Sequence, residues 1–261
     1  MKRWELLDRA EIPGGGELRL MLRDTEFSIM LGSAQLMNSR STGSEEALAT
    51  LTCDRLRGRK RPHILIGGLG MGFTLRAALT VLGPDARVTV AELVPAVVKW
   101  ARGPMAGMFE GALEDDPRVS VYEGDVARLI ASGATTYDAI LLDVDNGPEG
   151  LTRKANDRLY DLKGLRSALT ALKPNGVLAV WSSTPSKRFT DRLRAAGFRA
   201  EQIRVGASEE GGGARSVIWI ATPAQAPHGS DATRPRRDER ARLRSRRGAS
   251  ARNSRRSPGR E

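Results

Sequence analysis

The sequence predicts an α/β protein with a doubly wound, Rossmann-like seven-stranded sheet and a short N-terminal β-segment. Strand-like and helix-like stretches alternate from His63 to about Thr222, which indicates parallel strands joined by crossover helices. A buried strand, a glycine-rich turn, a helix, a second strand and a terminal acid follow one another up to Glu92. The chain has 261 residues, enough for one such domain of about 200 residues with extensions.

The N-terminal segment has β-rich stretches around a PGGG turn, with the period-two alternation of a β-meander. An amphipathic helix should follow, with Ser44 as its N-cap. We therefore divide the chain into a β-meander and helix over 1–56, a nucleoside-cofactor-binding catalytic domain over 57–222, and an arginine-rich tail over 223–261 that we expect to be disordered.

The catalytic domain should contain seven strands and five helices. We predict strands near 63–67, 87–92, 118–122, 137–143, 176–182, 198–205 and 215–222, and helices near 73–82, 94–102, 126–131, 157–172 and 186–196. The EEGGG link between the last two strands is too short for a crossover helix, so this pair should be antiparallel. Five parallel strands closed by an antiparallel hairpin fit class I S-adenosylmethionine-dependent enzymes, with an antiparallel last strand, better than a dinucleotide dehydrogenase.

The glycine-rich turn predicts a nucleoside site. Gly68, Gly70 and Gly72 lead from a strand into a helix, where backbone N–H groups and the helix dipole can approach a polar ligand. Glu92, about twenty residues later at the end of the next strand, can accept hydrogen bonds from both hydroxyls of a ribose. The alternative is a βαβ unit whose glycines only permit close packing.

Asp125 follows the third strand and precedes a helix-like stretch. Its carboxylate could accept a hydrogen bond from an adenine amino group. It could equally be the N-cap of the next helix, a position that Asp favours.

The fourth strand, YDAILLD, ends in an acidic turn. The turn holds three carboxylates within seven residues, which is costly unless they meet cations, metal or solvent. They belong to Asp143, Asp145 and Glu149, and Asn146 lies among them. We interpret the turn as a substrate or proton-handling site, with an exposed acidic turn as the alternative.

Charge and composition narrow the function classes. The formal net charge is +11, but Thr222 to Glu261 holds twelve arginines and four acids, a net charge of +8. This tail has too few large apolar residues to form a core, and it could bind nucleic acid weakly through phosphate contacts. One cysteine and two histidines argue against a disulfide framework and a His/Cys metal cluster. For this reason we expect no bound metal. Because no apolar run is long enough for a membrane span, we also expect a cytoplasmic protein.

The motifs ILIGGLGMGFTLRAAL, VTVAEL, DPRVSVYEGDV, YDAILLDVDNGP and NDRLYDLKGLRSALTALKPNGVLAVW resemble, in order, those of the spermidine synthase (polyamine aminopropyltransferase) family. The resemblance covers about residues 30–185. It implies an enzyme that transfers the aminopropyl group of decarboxylated S-adenosylmethionine to a small polyamine. Family members are often dimeric, which leaves a homodimer open here.

The resemblance also assigns roles. Asp143 becomes the catalytic base that deprotonates the amine acceptor, with Asp145, Asn146 and Glu149 beside the acceptor. Tyr160 matches an aromatic near the acceptor, although core packing is an equal alternative. Gln35 matches a glutamine that contacts the donor. Trp181 either lines the pocket or packs in the core.

Three departures from the family pattern leave alternatives open. Met71 stands where the family's glycine motif has an aspartate that meets the donor's amine, so intact S-adenosylmethionine becomes acceptable. The fourth position of the family's acidic loop is the amide Asn146 instead of an aspartate. Ser44 and Glu45 stand where the family has a tyrosine and the residue after it, while Glu46 keeps the family's glutamate. In addition, Arg153 and Lys154, in the loop after the acids, could favour an anionic acceptor. The alternatives are an S-adenosylmethionine-dependent methyltransferase acting on a small molecule or RNA, and a non-catalytic nucleoside-binding homologue.

Overall fold

The computed structural model describes residues 2–40, 42–144, 147–148, 157–206 and 215–224. The strands are β1 Glu5–Glu11, β2 Glu17–Arg23, β3 Glu26–Leu31, β4 Ala34–Asn38, β5 His63–Gly67, β6 Arg87–Glu92, β7 Val119–Glu123, β8 Tyr137–Leu142, β9 Leu172–Ser182, β10 Phe198–Gly206 and β11 Arg215–Pro223. The helices are α1 Gly43–Cys53, α2 Phe73–Val81, α3 Pro95–Arg102, α4 Ala106–Phe109, α5 Val126–Ser132, α6 Asp157–Tyr160, α7 Leu162–Ala171 and α8 Lys187–Ala195, and a 3-10 turn spans Asp54–Leu56.

The first four strands form an antiparallel meander in the order β1-β2-β3-β4. Strand β2 alternates between its two faces, and its buried residues Leu18 and Leu20 pack into the main core with Ile29 of β3. This small sheet confirms the predicted N-terminal β-segment, and its apolar face supplies one wall of the site described below.

The remaining strands form a seven-stranded sheet in the order β10-β11-β9-β8-β5-β6-β7. Strands β5 to β9 run parallel, whereas β11 pairs antiparallel with both β9 and β10. Every residue of the central strand β8 is buried, as expected for a parallel strand covered on both faces. The predicted fold class is therefore confirmed, including the antiparallel strand near one edge.

Helices cover both faces of this sheet. One core cluster gathers side chains of α1 to α4 and the small sheet, including the fully buried Trp100 and Leu75. The other gathers α5 to α8, with Phe189 packed edge-to-face between Tyr160 and Trp219. Because strands β5, β6, β7 and β8 run parallel between these layers, the loops after them meet at one edge of the sheet.

Two local predictions were wrong. The first helix begins one residue before Ser44, and its N-cap is Thr42. The helix predicted over 157–172 is two helices, because Asp161 adopts an extended backbone and its side chain accepts a hydrogen bond from the N–H of Gly164 at 2.7 Å. This N-cap starts α7 anew.

The compact unit Met1–Ala224 holds both sheets. The predicted tail lies outside the described residues, so its disorder stays a prediction. No helix among the described residues is long and apolar enough to cross a membrane.

Replacing Asp138 with Asn should lower the free energy of unfolding. The buried carboxylate accepts hydrogen bonds from Arg59 (2.6 Å), the N–H of His63 (2.8 Å) and Lys173 (2.6 Å). Breaking a fully buried pair costs about 3–5 kcal/mol, and we expect about 2–3 kcal/mol here because both cations are partly exposed.

The pH dependence provides the check. Burial opposes ionisation of Asp138, but its hydrogen bonds outweigh that effect and lower its pKa. The stabilisation should therefore be present at pH 7 and disappear as the pH falls below about 4, the usual range of an aspartate. Urea denaturation at pH 7 and at a pH below about 4 measures the difference in the free energy of unfolding between the wild type and Asp138→Asn. Asp54→Asn, which removes an exposed ion pair with Arg57, is the control, and equal losses in the two variants would contradict the prediction.

Candidate active site

A pocket opens at the carboxyl ends of the parallel strands, beneath the small N-terminal sheet. Its floor comes from the loops after β5, β6, β7 and β8, and its roof from apolar side chains of the meander. The lining residues used below are Met37, Glu45, Gly68, Gly70, Glu92, Val94, Asp125, Asp143, Leu159 and Trp181. The pocket lies where open α/β sheets bind ligands.

The glycine turn allows close approach of backbone to backbone. A side chain at Gly68, whose φ is +93°, would place its Cβ 2.2 Å from the carbonyl oxygen of Asp143. Gly68 and Gly70 line the pocket, as expected for a ligand-binding turn. Gly72 lies outside its lining and caps α2, where an added Cβ would lie 2.3 Å from the ring of Phe109. The structure therefore gives Gly72 a packing role.

Glu92 ends β6 with its carboxylate at the pocket wall. One oxygen accepts the N–H of Leu69 and the other the N–H of Val94, each at 2.9 Å. Burial raises the pKa of Glu92, and the hydrogen bonds from the neighbouring backbone oppose this rise. These bonds tie the carboxylate to the glycine turn and to the loop after β6, which fixes its position beside the pocket.

Asp125 follows β7 and also lines the pocket. One carboxylate oxygen accepts the N–H of Ala127 at 2.8 Å, which confirms the N-cap interpretation. The other pairs with Arg158 at the start of α6. A contact with adenine stays a prediction for this residue.

Asp143 directly follows β8, and its carboxylate accepts a hydrogen bond from the hydroxyl of Thr74 at 2.6 Å. Thr74 belongs to the first turn of α2, so the carboxylate lies near that helix N-terminus. Burial raises the pKa of Asp143 to about 6, against the effect of the Thr74 hydrogen bond. A carboxylate with a pKa near 6 is suited to accept a proton near neutral pH.

Glu45 is the main site residue that sequence reasoning missed. The alignment with the family assigned the upstream acid to Glu46, but Glu45 is the buried one and lines the pocket, whereas Glu46 lies in a separate groove. Burial, and next the negative charge of Asp143, raise the pKa of Glu45 to about 7, although Ser44 donates a hydrogen bond to it at 2.5 Å. Neighbouring residues of a helix point in different directions, so the register of the predicted first helix is the sequence signal that could have distinguished Glu45 from Glu46.

The described lining is acidic, and Arg158, which pairs with Asp125, is not part of it. It contains four carboxyls and no Lys, Arg or His, the acids being Glu45, Glu92, Asp125 and Asp143. The negative charge of Asp143 raises the pKa of Glu45, and we call these two acids the carboxyl pair. Such a pair favours a cationic ligand, because a positive charge between the two stabilises both ionised forms.

Met71 does not reach this pocket. Its side chain is completely buried in the main core and is absent from the pocket lining. The residue at this position therefore cannot select the donor by touching it. The carboxyl pair Glu45–Asp143 provides negative charge near the same turn.

The other predicted residues divide three ways. Gln35 is exposed and outside the lining, with its amide bonded to Ser28 at 2.8 Å, so the structure does not support its predicted donor contact. Tyr160 is buried in the core beside Phe189, while Trp181 lines the pocket. Predictions for the acidic turn, the loop after it and the tail fall on residues outside the described ones: Asp145, Asn146, Glu149, Arg153 and Lys154.

Comparisons with known proteins agree with this fold. The polyamine aminopropyltransferase 2 of Streptomyces coelicolor is 35% identical over 167 residues, which cover 60% of this chain and 29% of that protein. The ribosomal RNA small subunit methyltransferase H of Stenotrophomonas maltophilia is 32% identical over 99 residues, covering 37% of this chain and 28% of that protein. No protein-family model matches the chain.

The spermidine synthase of Thermotoga maritima superposes with a TM-score of 0.67 at 18% identity, over 83% of this chain and 72% of that structure. The chain therefore has the spermidine synthase fold, a variant of the class I methyltransferase sheet. It spans less than a third of the length of the two relatives compared above.

Proposed function

We propose that this chain is a transferase that moves the aminopropyl group of decarboxylated S-adenosylmethionine to a small polyamine. The observation that carries the proposal is the acidic pocket with its carboxyl pair Glu45–Asp143 and no cation in its described lining. Sequence similarity to a polyamine aminopropyltransferase supports the same class of reaction.

The donor would lie across the carboxyl ends of four adjacent strands, β7, β6, β5 and β8. Glu92 ends β6 and Asp143 follows β8, with β5 between them, so about 10 Å separates the two positions at the usual strand spacing. We infer that Glu92 binds the ribose hydroxyls, that Asp125 faces the adenine, and that the aminopropyl chain extends toward Asp143.

The carboxyl pair would distinguish the two forms of the donor. Decarboxylated S-adenosylmethionine ends in an ammonium group, which both acids attract. Intact S-adenosylmethionine carries an additional carboxylate, which Glu45 and Asp143 would repel and which no basic side chain of the described lining would neutralise. This argument favours aminopropyl transfer over the methyltransferase alternative.

The reaction is a displacement at carbon. The lone pair of the acceptor amine forms a bond to the first carbon of the aminopropyl group as the carbon–sulfur bond breaks. The electron pair of the broken bond stays on sulfur, so the sulfonium leaves as a neutral thioether. An amine with a pKa near 10 is almost wholly protonated at pH 7, and freeing its lone pair costs about 4 kcal/mol. Asp143 would accept that proton and hold the nitrogen in line.

A product assay tests the proposal. The full chain is incubated with each donor and a panel of linear diamines and triamines, and the products are separated by mass spectrometry. We expect an aminopropylated amine together with methylthioadenosine. A methylated product formed only from intact S-adenosylmethionine would overturn the proposal in favour of the methyltransferase alternative.

Glu45→Gln should reduce the discrimination between the donors. Because Glu45 supplies half of the negative charge of the pair, its loss should lower the ratio of affinities for decarboxylated and intact donor by about 10-fold, or about 1.4 kcal/mol. Calorimetric titration of each donor measures this ratio. Glu46→Gln, the neighbouring substitution outside the pocket, is the matched control, and an equal effect in both variants would remove Glu45 from the site.

A further inference from the structure

A basic cleft lies at the edge of the parallel sheet opposite the candidate active site. It forms around the starts of β5, β6 and β9 and the loops before β5 and β6. Six basic residues line it: Lys60, Arg61, His63, Arg87, Arg118 and Lys173. Asp85 is the one acid in the described lining. We call this feature the basic cleft.

Two of these cations are already neutralised. Arg118 pairs with Asp116 at 2.6 Å and also donates to the carbonyl of Leu82 at 2.8 Å. Lys173 pairs with the buried Asp138 at 2.6 Å. These pairs fix the wall of the basic cleft but leave little charge for a ligand.

Three further cations have no ion pair with any described residue. Lys60, Arg61 and Arg87 are exposed at the cleft, on the loop before β5 and at the start of β6. Lys60 and Arg61 end a basic run, RLRGRKR, over residues 55–61. Short runs rich in Lys and Arg are typical of surfaces that bind nucleic acid or other polyanions. The concave shape lets several of these charges reach one anion.

Arg61 is also unusual in its backbone, with φ at +50°. An L-residue with a long side chain rarely adopts this conformation, and Gly or Asn would fit it with less strain. The following Pro62 restricts this residue further. An arginine held in such a conformation beside other unpaired cations favours a functional role for its guanidinium group.

We propose that the basic cleft binds phosphate groups of a polyanionic ligand. Arginine side chains on two loops suit a tetrahedral phosphate, because the guanidinium forks can each donate two parallel hydrogen bonds. The source of the phosphate is either an RNA backbone or a soluble polyphosphate. This binding is independent of the transferase reaction, because the cleft and the pocket lie at opposite edges of the sheet.

His63 provides a reporter within the basic cleft. Its ring nitrogen Nε2 lies 3.1 Å from the hydroxyl of Thr89, and its pKa is lowered by burial and then by the charges of Arg87 and Lys173, against the opposing charge of Asp138. A bound phosphate should raise the pKa of His63 by favouring the imidazolium form. The chain has a second histidine, His228, whose signal is identified by a His228→Gln variant.

The experiment titrates the full chain with tripolyphosphate in one arm and with a single-stranded oligouridine RNA in the other. His63 is followed by NMR across pH 5–8, a range of about one and a half units around its usual pKa. Affinity is measured for the wild type, for Arg61→Gln/Arg87→Gln, and for Arg128→Gln/Arg166→Gln, which removes two exposed arginines elsewhere.

We expect one or both ligands to raise the pKa of His63. The cleft variant should lose at least about 10-fold in affinity and, with RNA, about 1.4 in the slope of log K against log salt, at about 0.7 per phosphate contact. The ligand that binds more tightly, tripolyphosphate or RNA, identifies the source of the phosphate groups. An unmoved His63 in both arms, or equal losses in the two double variants, would overturn the proposal and assign any binding to another part of the chain.

Discussion

Asp143→Asn should lower turnover by about 10²–10⁴-fold, the usual contribution of a general base, and lower the affinity for the decarboxylated donor by only about 10-fold, because half of the negative charge of the carboxyl pair is lost. Asparagine keeps the shape of the side chain and can still accept the hydrogen bond from Thr74, which now holds Asp143 at 2.6 Å. It cannot accept the proton of the acceptor amine. Steady-state kinetics and calorimetry on the same preparation separate the two effects.

The pH profile makes this prediction more specific. The pKa of Asp143 is about 6 and that of Glu45 about 7, so kcat/KM should rise as both carboxyls ionise between pH 5 and pH 8. In Asp143→Asn the pKa of Glu45 should fall, because its negative neighbour is gone. A variant with full turnover and an unchanged profile would show that Asp143 does not handle the proton.

The same substitution should stabilise the protein without ligand. The folded-state pKa of Asp143 is raised, so its contribution to stability is present below the unfolded pKa near 4 and is lost as the pH rises through about 6. At pH 8 we expect the free energy of unfolding of Asp143→Asn to exceed that of the wild type by up to about 3 kcal/mol. Asp115→Asn, at an acid outside the pocket, is the control and should change neither stability nor turnover.

Glu92→Gln is expected to weaken donor binding by about 1.5–3 kcal/mol, the range for hydrogen bonds to a charged group. The carboxylate is held by two backbone N–H groups, from Leu69 and Val94, so it is oriented before the donor arrives. Glutamine retains one acceptor oxygen and places an NH₂ group where a hydroxyl of the ribose would donate. The affinity should therefore fall by about 10- to 150-fold.

Calorimetric titration with decarboxylated S-adenosylmethionine measures this loss. Glu123→Gln is the matched control, because Glu123 ends the neighbouring strand in register with Glu92 but lies outside the pocket lining. A folded Glu92→Gln variant with the affinity of the wild type would remove Glu92 from the donor site.

The order of elements could be predicted from the sequence because each strand of the parallel sheet is a short apolar run bounded by turn residues. Strand β8, buried along its whole length, and strand β5 before the glycine turn give the clearest such patterns. The antiparallel pairing of β10 and β11 could be predicted because the EEGGG link between them is too short for a crossover helix. Helix ends were harder, since Asp161 divides a continuous helical pattern through one side-chain cap.

The candidate site could be predicted only where residues follow strands directly. Glu92, Asp125 and Asp143 reach the pocket because the carboxyl ends of parallel strands meet at one edge. Glu45 could not be predicted in this way, since a shift of one residue on a helix turns the side chain by about 100° and separates it from Glu46. Motif alignment gives no side-chain direction, so it could not predict that Met71 points into the core or that the amide of Gln35 bonds to Ser28. A donor contact of Gln35 stays a prediction.

The most direct test of the proposed function is calorimetric titration of the full chain with decarboxylated and intact S-adenosylmethionine at pH 8, where Glu45 and Asp143 are ionised without ligand. An acidic pocket without a cation in its described lining should bind the decarboxylated donor at least about 10-fold more tightly, since one contact between like charges at about 4 Å costs about 1 kcal/mol in bulk water and about 4 kcal/mol near a protein surface. The preference should diminish toward pH 5 as the pair becomes protonated. Equal affinities, or tighter binding of intact S-adenosylmethionine at pH 8, would contradict the assignment of this site to aminopropyl transfer.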